Sequence, residues 1–314
     1  MRIVSLLPSA TETLFALGRD KEIVGVSHEC DFPPQARTKR VVMSSRIPHN
    51  APPLEIDRMV REFVAKGESL YAVDVAALQE LKPDLIVTQD LCHVCAATPD
   101  DLGGALTHFA VPPQVLCLNP QNLGDVWRDI LRVGEETRSG PAAIRIVETI
   151  GRRLAAMERL AATSPGPTRV GFLEWLQPYY IGGHWIPEMI ERAGGVDAFG
   201  TTGACSFRVT AEQIVAAAPD VLVIAPCGYT AERGRDEYLS TNRAEGWSTI
   251  PAVRNDRVYA LAANSYFSRP GPRLVTGIEI LTKVLHPALS VSAEAEFAIV
   301  RLAGQVHVAH TACA

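Results

Sequence analysis

Short apolar runs separated by stretches of helical period dominate this chain. "RIVSLLP" carries an apolar run from Ile3 to Leu7, and "SATETLFALG" follows it with helical character. Ser9 or Thr11 is the expected N-cap of that helix, Glu12 suits its first turn, and Gly18 marks its stop. "EIVGVSHECDFPP" reads as a strand ended by Pro33 and Pro34, and "IPHNAPP" as a loop. "LEIDRMVREFVAKG" places Ile56, Met59, Val60 and Phe63 on one helical face, closed by Gly67. "VAALQELKPDLIVTQD" predicts a short helix, a Lys-Pro-Asp turn and a strand, and "PPQVLCLNP" predicts a further strand. These apolar runs lack strict in–out alternation, as expected of a parallel sheet buried on both faces.

From Asn122 to Ala162 the pattern is helical twice over. In the second helix Ile146, Ile150, Leu154 and Met157 recur at three- and four-residue spacing, over a length of ~30 Å at ~1.5 Å per residue. "TSPGPT" stops it and "RVGFLEWL" starts a new strand. The second half echoes the first: "EQIVAAAPDVLVIAPCG" repeats the helix, Pro-Asp turn and strand of "LQELKPDLIVTQDLC". The expected fold is α/β, with two parallel-sheet α/β lobes joined by one long rigid α-helix and a ligand cleft between the lobes. Its expected parts are an N-terminal lobe over 1–138, a connecting helix over 139–165, a C-terminal lobe over 166–290 and a tail over 291–314. Within the tail "AEFAIVRLAG" predicts a short helix, to which the sequence assigns no role.

Composition narrows the class. The 314 residues are 47% hydrophobic and 21% charged, ordinary for a globular protein of two domains. A formal net charge of -5 gives no support to nucleic-acid or anionic-membrane binding. The apolar run at the start is shorter than the ~7–15 residues of a signal peptide core. No run approaches the ~18 residues of a membrane span. The expectation is a cytoplasmic protein without membrane insertion, or a periplasmic one if the true start lies upstream. Seven cysteines, an odd count, read as reduced thiols.

Ligands of open parallel sheets bind at the carboxyl ends of the strands. His28, Glu29 and Cys30 follow one predicted strand; Gln89, Asp90, Cys92, His93 and Cys95 close or follow another. Cys227 and Trp175 stand at further strand ends, Cys205 lies in the loop "GTTGACSF", and Cys117 reads as a buried core thiol. The C-x-x-C pair Cys92 and Cys95 supplies half a zinc or iron site, for Cys30, His28 or His93 to complete. Dithiol chemistry is a second reading, and thiols that only pack or line a wall are the third. "EWLQPYYIGGHWIPEMIERAGG" gathers Trp175, Tyr179, Tyr180, His184 and Trp185 in a chain that is 6% aromatic. Strand-end placement favours a ligand platform for Trp175 and Trp185, and "NSYFSRPGPR" adds Tyr266, Phe267 and Arg269. Ser9 and Thr11, beside free helix N–H groups, suit a polar or anionic ligand group. No G-x-S-x-G elbow, P-loop, H-E-x-x-H or G-x-G-x-x-G after a strand occurs.

Six segments, "RIVSLLPSATETLFALG", "VGVSHECDFPPQA", "LKPDLIVTQ", "GGHWIPEMIERAGG", "VTAEQIVAAAPDVLVIAP" and "SYFSRPGPRLV", resemble the helical-backbone periplasmic binding proteins. Those proteins carry cobalamin, haem and iron-siderophores, and the resemblance is nearest to the vitamin B12-binding branch. It covers roughly residues 1–285. It implies non-catalytic binding of a corrinoid such as cobalamin, or a related tetrapyrrole or metal chelate. By position it implies Glu29, Gln89, Trp175, Ser265, Tyr266 and Arg269 as ligand-contacting residues, with Trp175 and Tyr266 against the macrocycle and Arg269 at its polar rim. It also implies docking on an ABC permease through an acidic residue on each lobe. Glu212 matches the second of these, Ala76 replaces the first, and Asp100 or Asp101 are substitutes. The insertion at 44–74 and the loop "LCHVCA" resemble a non-exported subgroup. Two other functions remain open: a metal- or thiol-dependent enzyme using Cys92 and Cys95 with Cys30 and His28, and the substrate-binding component of an ABC importer.

Overall fold

In the computed structural model, residues 1–48, 51–89, 99–162 and 166–302 are described. The Cys92/Cys95 loop, including His93, lies outside the described residues. The chain forms two compact units, Met1–Pro120 with Gly124–Thr149, and Gln121–Leu123 with Ile150–Ala314.

The first unit runs β1 (Ile3–Ser5), α1 (Pro8–Ala16), β2 (Ile23–Ser27), β3 (Arg40–Ser45), α2 (Pro53–Lys66), β4 (Tyr71–Val73) and α3 (Val75–Leu81). It continues through β5 (Leu85–Gln89), α4 (Pro99–Leu106), β6 (Gln114–Leu118) and α5 (Leu123–Glu136) to α6 (Gly140–Ala161), whose first half it shares. Its sheet has the order β4-β3-β2-β1-β5-β6, parallel throughout except for the β3–β4 pair. Every residue of β1 and β5 is buried, as their unbroken apolar runs require. Val4, Leu6, Ile86 and Leu102 belong to the core that these central strands build.

The second unit holds the rest of α6, then β7 (Thr168–Leu176), β8 (Tyr179–Ile181), α7 (Ile186–Arg192), β9 (Gly195–Asp197), α8 (Ala211–Ala217) and β10 (Val221–Ile224). It continues with α9 (Ala231–Ser240), α10 (Pro251–Arg254), β11 (Val258–Leu261), α11 (Ala263–Tyr266), α12 (Leu274–Leu285), α13 (Ala293–Phe297) and β12 (Ile299–Arg301). Its sheet is ordered β12-β11-β10-β7-β8, with β9 also on β7. β7, β10 and β11 are mutually parallel, whereas β8 and β12 run antiparallel at the two edges. Leu173, Ile224, Tyr238 and Trp247 anchor its core.

The echo between the halves is a shared construction. After α3, Lys82 takes a left-handed φ of 43°, and Pro83-Asp84 leads into β5. After α8, Ala218 takes φ 47°, and Pro219-Asp220 leads into β10. In the first unit the Asp84 carboxylate accepts from the Arg2 N–H at 2.7 Å, while Arg2 Nε donates to the Leu81 carbonyl at 2.6 Å. In the second, Asp220 accepts from the Arg169 N–H at 3.1 Å, and Arg169 Nη2 donates to the Ala217 carbonyl at 3.1 Å. Each clasp satisfies a helix-end carbonyl and fixes the start of a central strand.

Three local expectations change. Leu7 is the N-cap of α1 and Pro8 its first residue, so neither Ser9 nor Thr11 caps it and Glu12 lies beyond the first turn. The parallel sheets carry antiparallel edge strands. In the tail, "AEFAIVRLAG" splits into the short α13 and the edge strand β12, because Ile299–Arg301 find open hydrogen-bonding groups on β11.

Where α5 meets α6, a methyl group on Gly134 would overlap the Ala143 Cβ. Gly134→Ala is therefore expected to destabilise the protein by about 1–3 kcal/mol, because both positions are buried and the overlap lies between two helices. Denaturant unfolding of the variant would show it as a lower midpoint at unchanged slope.

Candidate functional site

The strand-end residues of the first unit form a buried polar cluster and an exposed rim. Thr11, fully buried, donates from Oγ1 to Ser5 Oγ at 2.8 Å and meets Cys30 Sγ at 3.1 Å. Ser27 Oγ lies 3.2 Å from the same sulfur. Ser9 is also buried. Ser9 and Thr11 therefore face the interior instead of presenting a helix start to ligand. Gln89 is the last residue of β5 and is 5% exposed. On the rim Glu29 is exposed, its Oε1 3.3 Å from His28 Nε2, while His28 Nδ1 is 3.3 Å from the Met43 carbonyl oxygen.

Of the expected metal ligands, Cys92 and Cys95 lie outside the described residues. Cys30 is a buried thiol bonded to the Thr11 and Ser27 hydroxyls, and His28 is engaged with Glu29 and Met43. Among the described residues no group of three or more His, Cys, Asp or Glu side chains is placed to hold a metal ion. Cys117 is half-buried in β6, a correction to its reading as a core thiol. Cys205 and Cys227 are exposed.

The second unit brings more of the expected residues together. Because β7, β10 and β11 are parallel, Trp175, the segment after Ile224 and the helix α11 emerge at one edge of the sheet. Trp175 is half-buried, its Nε1 donates to the Gln177 carbonyl at 3.1 Å, and its ring meets Tyr229 edge-on at 5.6 Å. The Arg233 guanidinium sits over the other aromatic of this pair, 3.8 Å from the Tyr229 ring centroid. Besides the ring, the Glu237 carboxyl feels the Arg233 charge, which opposes the effect of its burial. The Tyr229 hydroxyl and Glu237 Oε1 are buried without completing a hydrogen bond. Burial raises the pKa of both groups, and each also feels the other.

Trp185 departs from the platform expectation. It is 5% exposed, and its Nε1 donates to the Phe267 carbonyl at 2.8 Å. It thus anchors residues 265–269 from beneath. Within that segment Ser265 Oγ bonds Asn264 at 3.3 Å, and Arg269 is half-buried. Tyr266 donates its hydroxyl to Glu294 of α13 at 3.0 Å and lies 5.4 Å from the Arg273 guanidinium. A chain of hydrogen bonds runs behind it. Arg153 of α6 bonds Glu279 at 2.9 Å, the other oxygen of Glu279 accepts from Ser292 at 2.7 Å, and Ser292 caps α13. The tail therefore has a structural role, holding a strand-end tyrosine.

His184 is half-buried at φ 53°, a left-handed conformation uncommon for a residue with a side chain. Its N–H donates to the Ala204 carbonyl at 2.6 Å, and its carbonyl accepts from Gly203 at 2.9 Å. A Cβ on the neighbouring Gly183 would overlap the Ser206 backbone nitrogen, so glycine is required for this approach. Burial lowers the His184 pKa and favours the neutral ring.

This architecture has known relatives. The periplasmic binding protein family profile matches residues 3–264. The chain belongs to that family. The vitamin B12-binding protein of Vibrio cholerae serotype O1 is 24% identical over 281 residues, covering 88% of this chain and 86% of its own. An uncharacterized ABC transporter substrate-binding lipoprotein of Bacillus subtilis is 26% identical over 294 residues, covering 91% and 80%. A periplasmic heme-binding protein from Pseudomonas aeruginosa superposes with a TM-score of 0.71 at 18% identity, over 96% of this chain and 97% of that one. As a family member, the chain has the two-sheet α/β fold that the resemblance implied.

The two positions that the resemblance matches to docking residues, Ala76 and Glu212, occupy comparable places in the two units. Glu212 is the second residue of α8, after a capping box made by Thr210 and Gln213. Ala76 is the second residue of α3, after the Asp74 cap. The two sites are structural equivalents, and only the second carries a charge. Glu212 is fully exposed, and a hydrogen bond with Thr210 holds its carboxyl below the usual range. Asp100 and Asp101 fall in the first turn of α4.

Sequence reasoning missed the Tyr229–Arg233 stack and Glu294. The first had a signal: "YTAER" puts Arg233 four residues after Tyr229, with Thr230 capping the helix between them. Glu294 had none, because its partner Tyr266 is 28 residues away.

Tyr179, Tyr229 and Tyr266 each have a pKa raised to about 12, with burial as the first cause. An unfolded tyrosine ionises near 10. The folded state thus keeps these protons where the unfolded chain has lost them. Their contribution is complete below pH ~10 and is expected to fall away as pH rises toward ~12. Denaturant midpoints across that range, with tyrosinate absorbance followed in parallel, would check it; a flat stability profile contradicts it.

Proposed function

We propose that this protein binds a metal-bearing tetrapyrrole without catalysing a reaction on it, and that the preferred ligand is a corrinoid such as cobalamin. The observation carrying this reading is the aromatic and cationic edge of the second unit, where Trp175, Tyr229, Arg233 and Tyr266 emerge together. Large planar ligands gain most of their affinity from apolar burial, and a few polar groups fix their orientation. Similarity to a vitamin B12-binding protein over most of the chain supports the corrinoid. A haem is the second reading, supported by similarity to a heme-binding protein fold and by Arg233, a cation suited to a carboxylate rim.

The reading extends to a substrate-binding role beside an ABC permease. Exposed, ionised Glu212 at a helix start offers a docking charge, and the Bacillus subtilis relative is a transporter substrate-binding protein.

Titration of the purified protein with cyanocobalamin, cobinamide and haemin, followed by calorimetry and tryptophan quenching, is the direct test. Saturable binding of one equivalent is expected, with the corrinoids ahead of haemin. Trp175→Ala should weaken binding about tenfold or more, a loss of ~1.4 kcal/mol or greater. Absence of binding by all three compounds at high micromolar concentration would overturn the reading. Glu212→Ala is expected to leave ligand affinity unchanged and to reduce ligand-dependent stimulation of a reconstituted permease.

A further inference from the structure

We propose that Glu294 is a positioning residue of the ligand edge: it holds the Tyr266 hydroxyl and so fixes the ring that Tyr266 presents to a bound macrocycle. This inference rests on the tetrapyrrole reading above and adds to it a residue outside the strand ends.

Tyr266 belongs to the same edge as Trp175 and Tyr229. The Asn264 N–H, two residues before it, donates to the Tyr229 carbonyl at 3.0 Å, and the Tyr229 ring meets that of Trp175. The helix that carries Tyr266 does little to hold it. α11 is four residues long, has no side-chain cap and ends at Tyr266 itself. That is far short of the ~12–15 residues at which a helix is marginally stable on its own. Packing sets the backbone instead: the Tyr266 carbonyl lies against Gly277 of α12, where a Cβ would overlap it. This contact fixes the main chain and leaves the ring to turn about its side-chain bonds. Tyr266 is only half-buried, so packing does not enclose the ring. Its far end is fixed by the hydrogen bond from the hydroxyl to the Glu294 carboxylate, at 3.0 Å. The Arg273 guanidinium, 5.4 Å from the ring centroid, lies against it as well.

The same bond matters little to α13. Ser292 caps that helix and donates to Glu279 at 2.7 Å, and Ala295 is fully buried. Glu296 pairs with Lys283 at 3.4 Å, and the strand β12 that follows is bonded to β11. Glu279 is in turn held by Arg153 of α6 at 2.9 Å. Glu294 is therefore displayed from an element anchored elsewhere, and the tyrosine is the partner that gains order from the contact. A ring already held in one orientation loses less conformational freedom when a ligand packs on it. Ordering one such side chain in advance corresponds to about threefold to tenfold in affinity.

The test compares the full chain with Glu294→Ala, Glu294→Gln, Tyr266→Phe and the double variant Tyr266→Phe/Glu294→Ala. Calorimetry and tryptophan quenching give affinities for cyanocobalamin and haemin, read with whichever the wild-type chain binds more tightly. Denaturant midpoints confirm that each variant folds. Glu294→Ala is expected to bind about threefold to tenfold more weakly. Glu294→Gln should restore most of the affinity, because its amide oxygen accepts the same hydrogen bond. Tyr266→Phe keeps the ring and removes the bond from the other side, so it should weaken binding by a similar factor. Adding Glu294→Ala to it should then change nothing further. A general loosening of the tail would instead persist in the Tyr266→Phe background and would not be rescued by glutamine. Wild-type affinity in Glu294→Ala or in Tyr266→Phe overturns the positioning role and leaves the binding reading standing. So does an equal loss from Glu294→Ala with and without the tyrosine hydroxyl, or a Glu294→Gln variant as weak as Glu294→Ala. Binding of neither compound by the wild-type chain overturns both.

Discussion

Each sheet depends on an aspartate that follows a proline and clasps the arginine at the start of a neighbouring strand. Asp84 holds Arg2 beside β1 and β5, and Asp220 holds Arg169 beside β7 and β10. A parallel ladder has no tight turn to set its register, so the register has to be fixed by contacts at the strand ends. The clasp does this while the same arginine satisfies the last helical carbonyl. Left-handed Lys82 and Ala218 redirect the chain immediately before it. With the base of each central pair fixed, the residues at its far end emerge at defined positions. The candidate ligand residues stand at those ends.

The two units use their strand ends differently. In the first, Ser5, Thr11, Ser27 and Cys30 satisfy one another in a closed cluster, leaving Glu29 and His28 on the rim. In the second, polar atoms are left open. Arg233 rests on the Tyr229 ring, the Tyr229 hydroxyl and Glu237 Oε1 are buried without completed hydrogen bonds, and His184 Nδ1 has no hydrogen-bond partner among the described residues. Buried polar groups are normally satisfied, and those that are not often mark places where a ligand completes the site. Rigidity comes from behind, through Trp185 under Phe267 and the Arg153–Glu279–Ser292 chain supporting α13.

The architecture was largely legible in advance. Unbroken apolar runs such as Ile3–Leu7 and Leu85–Val87 become fully buried central strands. The repeated Pro-Asp signal marks the same turn in both halves. Edge structure was less legible. "AEFAIVRLAG" has helical character, yet its second part pairs with β11, because an open sheet edge offers hydrogen bonds that a local pattern does not reveal. The α1 cap failed for a different reason: Pro8 at the first helical position starts the helix before Ser9 or Thr11 can cap it. Among the site residues, Trp175 and Tyr266 emerge at a strand end as expected. Trp185, drawn from the same aromatic cluster, is buried as a support.

The sequence by itself determined the α/β class, the long helix, the doubled plan and the family, since each is written in local periodicity or in short motifs. Tertiary structure decided which aromatic residues are walls and which are struts, which hydroxyls turn inward, and that the tail holds Tyr266. Those outcomes depend on partners far apart in the chain. Trp185 finds Phe267 82 residues later, and Arg2 finds Asp84 across the same separation. A single side chain's burial and hydrogen bonding are set by what the fold brings beside it, and sequence spacing carries no record of that.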